Sequence, residues 1–166
     1  QNSPTNFYGH DQTSATSYTF NGGSLPDGWI SSPFQIGQPC YAENGNTPDN
    51  SNYFWATTLS TTAPIGKRFV ATSAVDVSLG GTIDFLIRYG DDDPYPGCED
   101  PEGASEYVIL QYSINGGTSY VNIYSFAIHD SLKTWTPCSF PIPEAAKTET
   151  TIFRWYQDDN DGDEWD

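Results

Sequence analysis

The side chains in this sequence best placed to do chemistry are carboxylates, and they come in clusters. The run DDNDGDEWD at 158–166 puts six acidic residues into nine positions, and GDDDPYPGCED at 90–100 sets three adjacent aspartates before Pro94. Like charges at that density repel one another. Open solvent, a bound cation or a continuation of the chain would each relieve the repulsion. Calcium is the cation such groups suit, because it is hard and takes about six to eight oxygens at flexible spacing. The ligand candidates are Asp91, Asp92, Asp93 and Glu99 in one cluster and Asp161, Asp163 and Asp166 in the other, with Asp161 and Asp163 alternating along an extended chain. The spacing is not that of an EF-hand loop with its closing Glu. A solvated acidic surface is the plain alternative for both runs.

Aromatic residues are the second signal. Tyr41, Tyr53, Trp55 and Tyr95 lie in or beside the two longest loops, and Tyr156 points away from the Trp155 face. Sugar rings present CH-rich faces that stack on Tyr and Trp, so such a platform suits a neutral polysaccharide. The competing use of aromatics is core packing, which is expected for Trp29, Trp135 and Trp155. Catalysis finds no support. There is no G-x-S-x-G elbow, no H-E-x-x-H and no E-x-D-x-E strand, and neither His10 nor His129 stands in a motif. Paired carboxylates of the glycosidase kind arise by chance in a chain this acidic, so no enzyme is expected.

The totals bound the remaining choices. With 166 residues the chain suits one domain able to bury a sizeable core. A formal charge of −16, from 22 acidic and six basic residues, argues against nucleic acid and anionic membrane surfaces as partners. No apolar run has the length of a membrane span, and no signal peptide is visible. Gln1 is where a processed secreted chain or a trimmed recombinant one would begin. Cys40, Cys98 and Cys138 lack metal-site spacing, leaving one disulfide and one odd thiol, with Cys98–Cys138 as the expected pair.

The elements that must position these residues read as strands. In TIDFLIRY, Ile83, Phe85, Ile87 and Tyr89 share one face while Asp84 and Arg88 take the other. EYVILQYSI has an apolar face of Val108, Leu110, Tyr112 and Ile114, and RFVATSAVDVSL places Phe69, Ala71, Val75, Val77 and Leu79 on one side. NGGTS, with Asn115 and Gly116 suited to positive φ, predicts a hairpin into SYVNIYSF. TTIFRWYQ sets Phe153 and Trp155 against Arg154 and Tyr156. Only PEAAK at 143–147 has the composition of a helical turn. About eight to ten strands, with almost no helix, predict an all-β antiparallel sandwich over 1–166, with 1–15 as an extended N-terminal segment.

Two blocks, IDFLIRYGDDDPYPGCEDPEGASEYVILQYSINGGTSYVNI and FPIPEAAKTETTIFRWYQ, resemble the Reelin-like repeat. Similar domains occur in large secreted surface proteins of Bacteroidetes, where SNYFWAT (51–57) also has counterparts, and YTFNGGSLPDGW is a weaker echo. The resemblance implies a jelly-roll-like β-sandwich, calcium-binding, non-catalytic, and working in cell adhesion or recognition. It adds Asp27 as a metal ligand, with Asn21 in support, because calcium sites of such folds join first and last strands. Tyr120 stands where many repeats have Trp. Repeats of this kind continue into a closing strand, so the chain is expected to stop at that strand's edge. The expectation is thus a secreted or cell-surface, calcium-stabilised carbohydrate-binding module. Its partner would be a polysaccharide or, alternatively, a neighbouring surface-protein domain, with no nucleic acid and no membrane insertion.

Overall fold

The computed structural model describes residues 15–32, 35–37, 47–55, 68–90, 107–127 and 129–158. Within them the chain forms nine strands: β1 (Ile30–Ser31), β2 (Gln35–Gly37), β3 (Tyr53–Trp55), β4 (Arg68–Ala71), β5 (Thr82–Ile87), β6 (Val108–Ser113), β7 (Val121–Phe126), β8 (Thr136–Pro141) and β9 (Ile152–Gln157). The helical content is two 3-10 turns, Asp130–Lys133 and Glu144–Ala146, the second inside the predicted PEAAK turn. All pairings are antiparallel. The main sheet runs β1-β4-β9-β6-β7, and β2-β3 and β5-β8 form two-stranded ribbons.

Register explains which residues meet. Trp155 of β9 stands between Val70 of β4 and Leu110 of β6, and Phe153 stands opposite Tyr112, so this row faces inward. The β5-β8 ribbon lies over it. Ile83, Phe85, Ile87, Cys138 and Phe140 from the ribbon pack with Leu110, Phe126 and Trp155 from the sheet, while Val77, Ile142 and Ala146 close the other end around Tyr112 and Phe153. The result is a two-layer β-sandwich, as the alternation predicts; the strands described do not establish the jelly-roll connection order. Tyr89 ties the layers directly. Its buried hydroxyl donates to the Phe126 carbonyl and accepts from the Val108 N–H, both at 2.7 Å.

The β6-β7 hairpin forms where NGGTS predicts it, with a different division of labour. Gly116 and Gly117 carry the positive φ angles, 69° and 84°, and Asn115 does not. Asn115 instead uses its side chain: Oδ1 accepts from the Ser119 N–H and the Ser113 hydroxyl, and Nδ2 donates to the Ser119 hydroxyl. A bulge follows. The register moves from Gln111↔Asn122 to Leu110↔Tyr124, leaving Ile123 as the extra residue of β7.

Three local readings need correction. The segment 68–79 is not one continuous face: β4 ends at Ala71, and the chain rejoins the sheet only through the bridge Val75↔Thr151. The alternation is reset there, so Val70 faces the core, Phe69 and Ala71 share the outer side with Tyr156 and Arg154, and Leu79 is 83% exposed. Ile114 leaves the apolar face because the strand has already entered its turn, and it is half-exposed. Cys138 is a free thiol, so the expected Cys98–Cys138 bridge is not formed; Cys40 and Cys98 lie outside the described residues.

Leu110 has no exposed surface and sits where both layers press. Leu110→Ala should cost about 2–5 kcal/mol by transfer and cavity terms together, whereas Leu79→Ala should stay within roughly 0.5 kcal/mol. Urea unfolding of both variants checks the contrast.

Candidate functional site

A groove opens where the β4/β9 side of the main sheet, β5 and the β2-β3 ribbon approach without closing. Aromatic packing builds its walls. Tyr18 and Phe20 from the N-terminal segment meet Trp29 edge-on at 5.0 and 5.9 Å, Trp29 stacks on Trp155 at 6.4 Å and 14°, and Phe85 meets Trp155 edge-on at 5.1 Å. Across the groove Phe20 leans on Phe54, and Tyr53 packs edge-on against Trp135 at 4.9 Å. The N-terminal segment is held in place by Asn21, whose Oδ1 accepts from the Asn52 N–H.

Two donors packed within this wall have no acceptor among the described residues. The indole N–H groups of Trp29 and Trp155 are buried and unpartnered. A buried donor without a partner costs roughly 1–3 kcal/mol of desolvation. Polar groups reach the same groove from its floor and rim. Arg68 and Gln157, paired across β4 and β9 and both buried, meet through Arg68 Nη1 donating to Gln157 Oε1 at 3.4 Å. Thr72, Asn52, Asp49 and Asp76 also line it.

The rim carboxylates are held ionised by hydroxyl and amide donors. Asp76 accepts from the Ser78 hydroxyl at 2.7 Å and the Ser78 N–H at 3.0 Å, which pulls its pKa below the usual carboxylate value. Ser51 does the same for Asp49. On β5, Asp84 is lowered by the hydroxyls of Ser139 and Thr82. None of the three has the raised pKa a general acid requires.

A second polar arrangement lies on the outer face of the main sheet. Arg154 donates through Nε and Nη2 to Gln111 Oε1 at 2.8 and 2.6 Å, and Gln111 Nε2 in turn donates to Asn122 Oδ1 at 2.8 Å. The guanidinium carbon lies 3.6 Å from the Tyr120 ring centroid and 4.3 Å from that of Tyr156. Burial lowers the Arg154 pKa, and the two tyrosines act in the opposite direction.

Of the residues singled out from sequence, Tyr53, Trp55 and Tyr156 line the groove, with Tyr53 packed rather than presented. Trp29, Trp135 and Trp155 are all half-buried and packed on other rings. Tyr41, Tyr95, Asp91, Asp92, Asp93, Glu99, Asp161, Asp163 and Asp166 lie outside the described residues. Asp27 is exposed in the turn before Trp29. Among the described residues no three Asp, Glu, His or Cys side chains are grouped to hold a metal, so Asp27 alone supplies no calcium centre. Tyr18, Phe20 and the two indole donors went unnoticed, because only the tertiary fold brings them together.

An antiparallel β-sandwich with an aromatic-walled groove, and no described helix long and apolar enough to cross a membrane, defines the class: an all-β sandwich domain. The Reelin subrepeat B family matches residues 48–166, more than half of the chain, and the chain belongs to that family, whose repeats occur in extracellular proteins.

Because Asp76 has a lowered folded pKa, its contribution to stability is present above the unfolded carboxylate pKa and fades as pH falls through the folded value. Ser78→Ala should return that pKa toward the ordinary value, shifting the loss of this contribution to higher pH. Carboxyl-carbon NMR titration of wild type and variant reads the shift.

Proposed function

We propose that this domain is a non-catalytic extracellular binding module whose groove takes a neutral polysaccharide. The aromatic wall of the groove, with Tyr18, Phe20, Trp29, Trp55 and Trp155 lining one opening, is the observation that carries the reading. The rings offer faces on which the CH groups of a sugar stack. Arg68, Gln157 and Thr72 add polar groups in the apolar wall, the mixture a sugar site uses to fix orientation. Secretion fits the family's extracellular setting.

A second reading, a protein-adhesion or spacer domain, draws on β7. Val121 and Tyr124 are about half-exposed on this outermost strand, where a neighbouring domain would cover them. Calcium stabilisation belongs to both readings. It rests on the acids at 91–99 and 161–166 with Asp27, and on the density of charge they bring.

In affinity gels cast with agarose, cellulose or xylan, the wild type should be retarded by at least one glycan, and Tyr18→Ala or Trp55→Ala should abolish the retardation. Tyr18 is exposed enough to be changed without loss of the fold. Absence of retardation by any of these, with tight binding to an adjacent domain, would move the function to adhesion. Added calcium should raise the melting temperature by mass action on the folded state, and a melt indifferent to chelator would remove the ion from the account.

A further inference from the structure

Arg154 stands apart from the groove and calls for its own explanation. Its guanidinium lies against the rings of Tyr120 and Tyr156, and one edge is fixed by Gln111, which Asn122 orients. The other edge, Nη1 with the remaining Nη2 hydrogen, has no acceptor among the described residues, and no carboxylate there forms an ion pair with it. That is unexpected in a chain with 22 acidic residues to six basic ones. Even the nearest acid in sequence is engaged otherwise, since the Tyr156 hydroxyl donates to Asp158 Oδ1. Neutral groups thus hold a partly desolvated cation in a fixed orientation with a two-donor fork left over. Such a fork matches a carboxylate, which takes two parallel N–H···O bonds.

We propose that the open edge of Arg154 is a carboxylate-binding site on the outer face of the main sheet, taking a single uronate unit of an otherwise neutral glycan. The site is one guanidinium wide, and a net charge of −16 opposes any partner bearing a dense run of acids. An isolated carboxylate escapes most of that repulsion, because charges beyond about 8 Å are screened at physiological salt. The Tyr120 and Tyr156 rings flank the guanidinium and are the aromatic surface a sugar ring beside the acid would meet. Arg154, Tyr120 and Gln111 do not line the groove, and Tyr156 is the residue the two sites share.

The test is an NMR titration of the Arg154 Nε–H resonance in the whole domain with sodium glucuronate. Glucose and sodium chloride at matched ionic strength serve as controls. The expected result is a saturable shift with glucuronate alone, weakening as salt is raised. Arg154→Lys, which keeps the charge and loses the fork, should bind about tenfold more weakly at unchanged retardation by neutral glycans. Should that variant not fold, the wild-type titration decides by itself. Tyr18→Ala should leave the glucuronate response intact, which separates failure here from failure of the groove. No saturable shift, an equal shift with chloride, or a response to a short acidic peptide but not to glucuronate would each overturn the proposal.

Discussion

The inward seating of Trp155 is the constraint on which the rest of the molecule depends. Its ring belongs to both hydrophobic clusters, meets Phe85 of the opposite layer edge-on and stacks on Trp29 at the groove. Side chains alternate along β9, so fixing Trp155 inward fixes Arg154 and Tyr156 outward, and a slip of one residue would exchange the sets. Core, groove and outer guanidinium cage are therefore one choice of register. The Tyr89 hydroxyl reinforces it, since a buried phenol with both its donor and acceptor bonds made rewards only one placement of the ribbon over the sheet.

Among the described residues, several charges are held by neutral partners. Asp49 accepts from the Ser51 N–H, Asp76 from the Ser78 N–H and hydroxyl, and Asp84 from the Thr82 hydroxyl, the first two within short Asx-type turns. Arg88 donates to the Lys133 carbonyl and Arg154 to Gln111. The Lys147–Glu144 pair is an ordinary exposed ion pair three residues apart. With so few bases, the domain cannot neutralise itself by pairing, and Asp49, Asp76, Asp84 and Asp158 take hydrogen bonds from neutral donors.

What could be read from the sequence follows from range. The strands at 82–87, 108–113, 121–126 and 152–157, and the turn at 115–119, are written in alternation and turn chemistry, which act within a few residues. The division of Arg154 and Tyr156 from Phe153 and Trp155 was legible for the same reason. The break after Ala71 was not, because the alternation runs on in the letters while the bridge to Thr151 resets it in space. Nor was the exchange of roles between Asn115 and Gly117. The groove needed Tyr18, Trp29, Trp55 and Trp155 to be brought together from four distant segments, and the cage needed Tyr120 and Gln111 aligned by pairing register. Residue types announced an aromatic surface and could not say which rings would share it.

The extra residue at Ile123 bears on how copies of the domain behave in a crowd. β7 closes one end of the main sheet, and a flat, regular outermost strand is a template for another chain to zip onto. An insertion in mid-strand accentuates the local coil and breaks the even spacing of the ladder. An incoming ribbon would find its donors and acceptors out of step halfway along. Among the described strands, this edge is thereby set against further pairing by backbone geometry as well as by acidity.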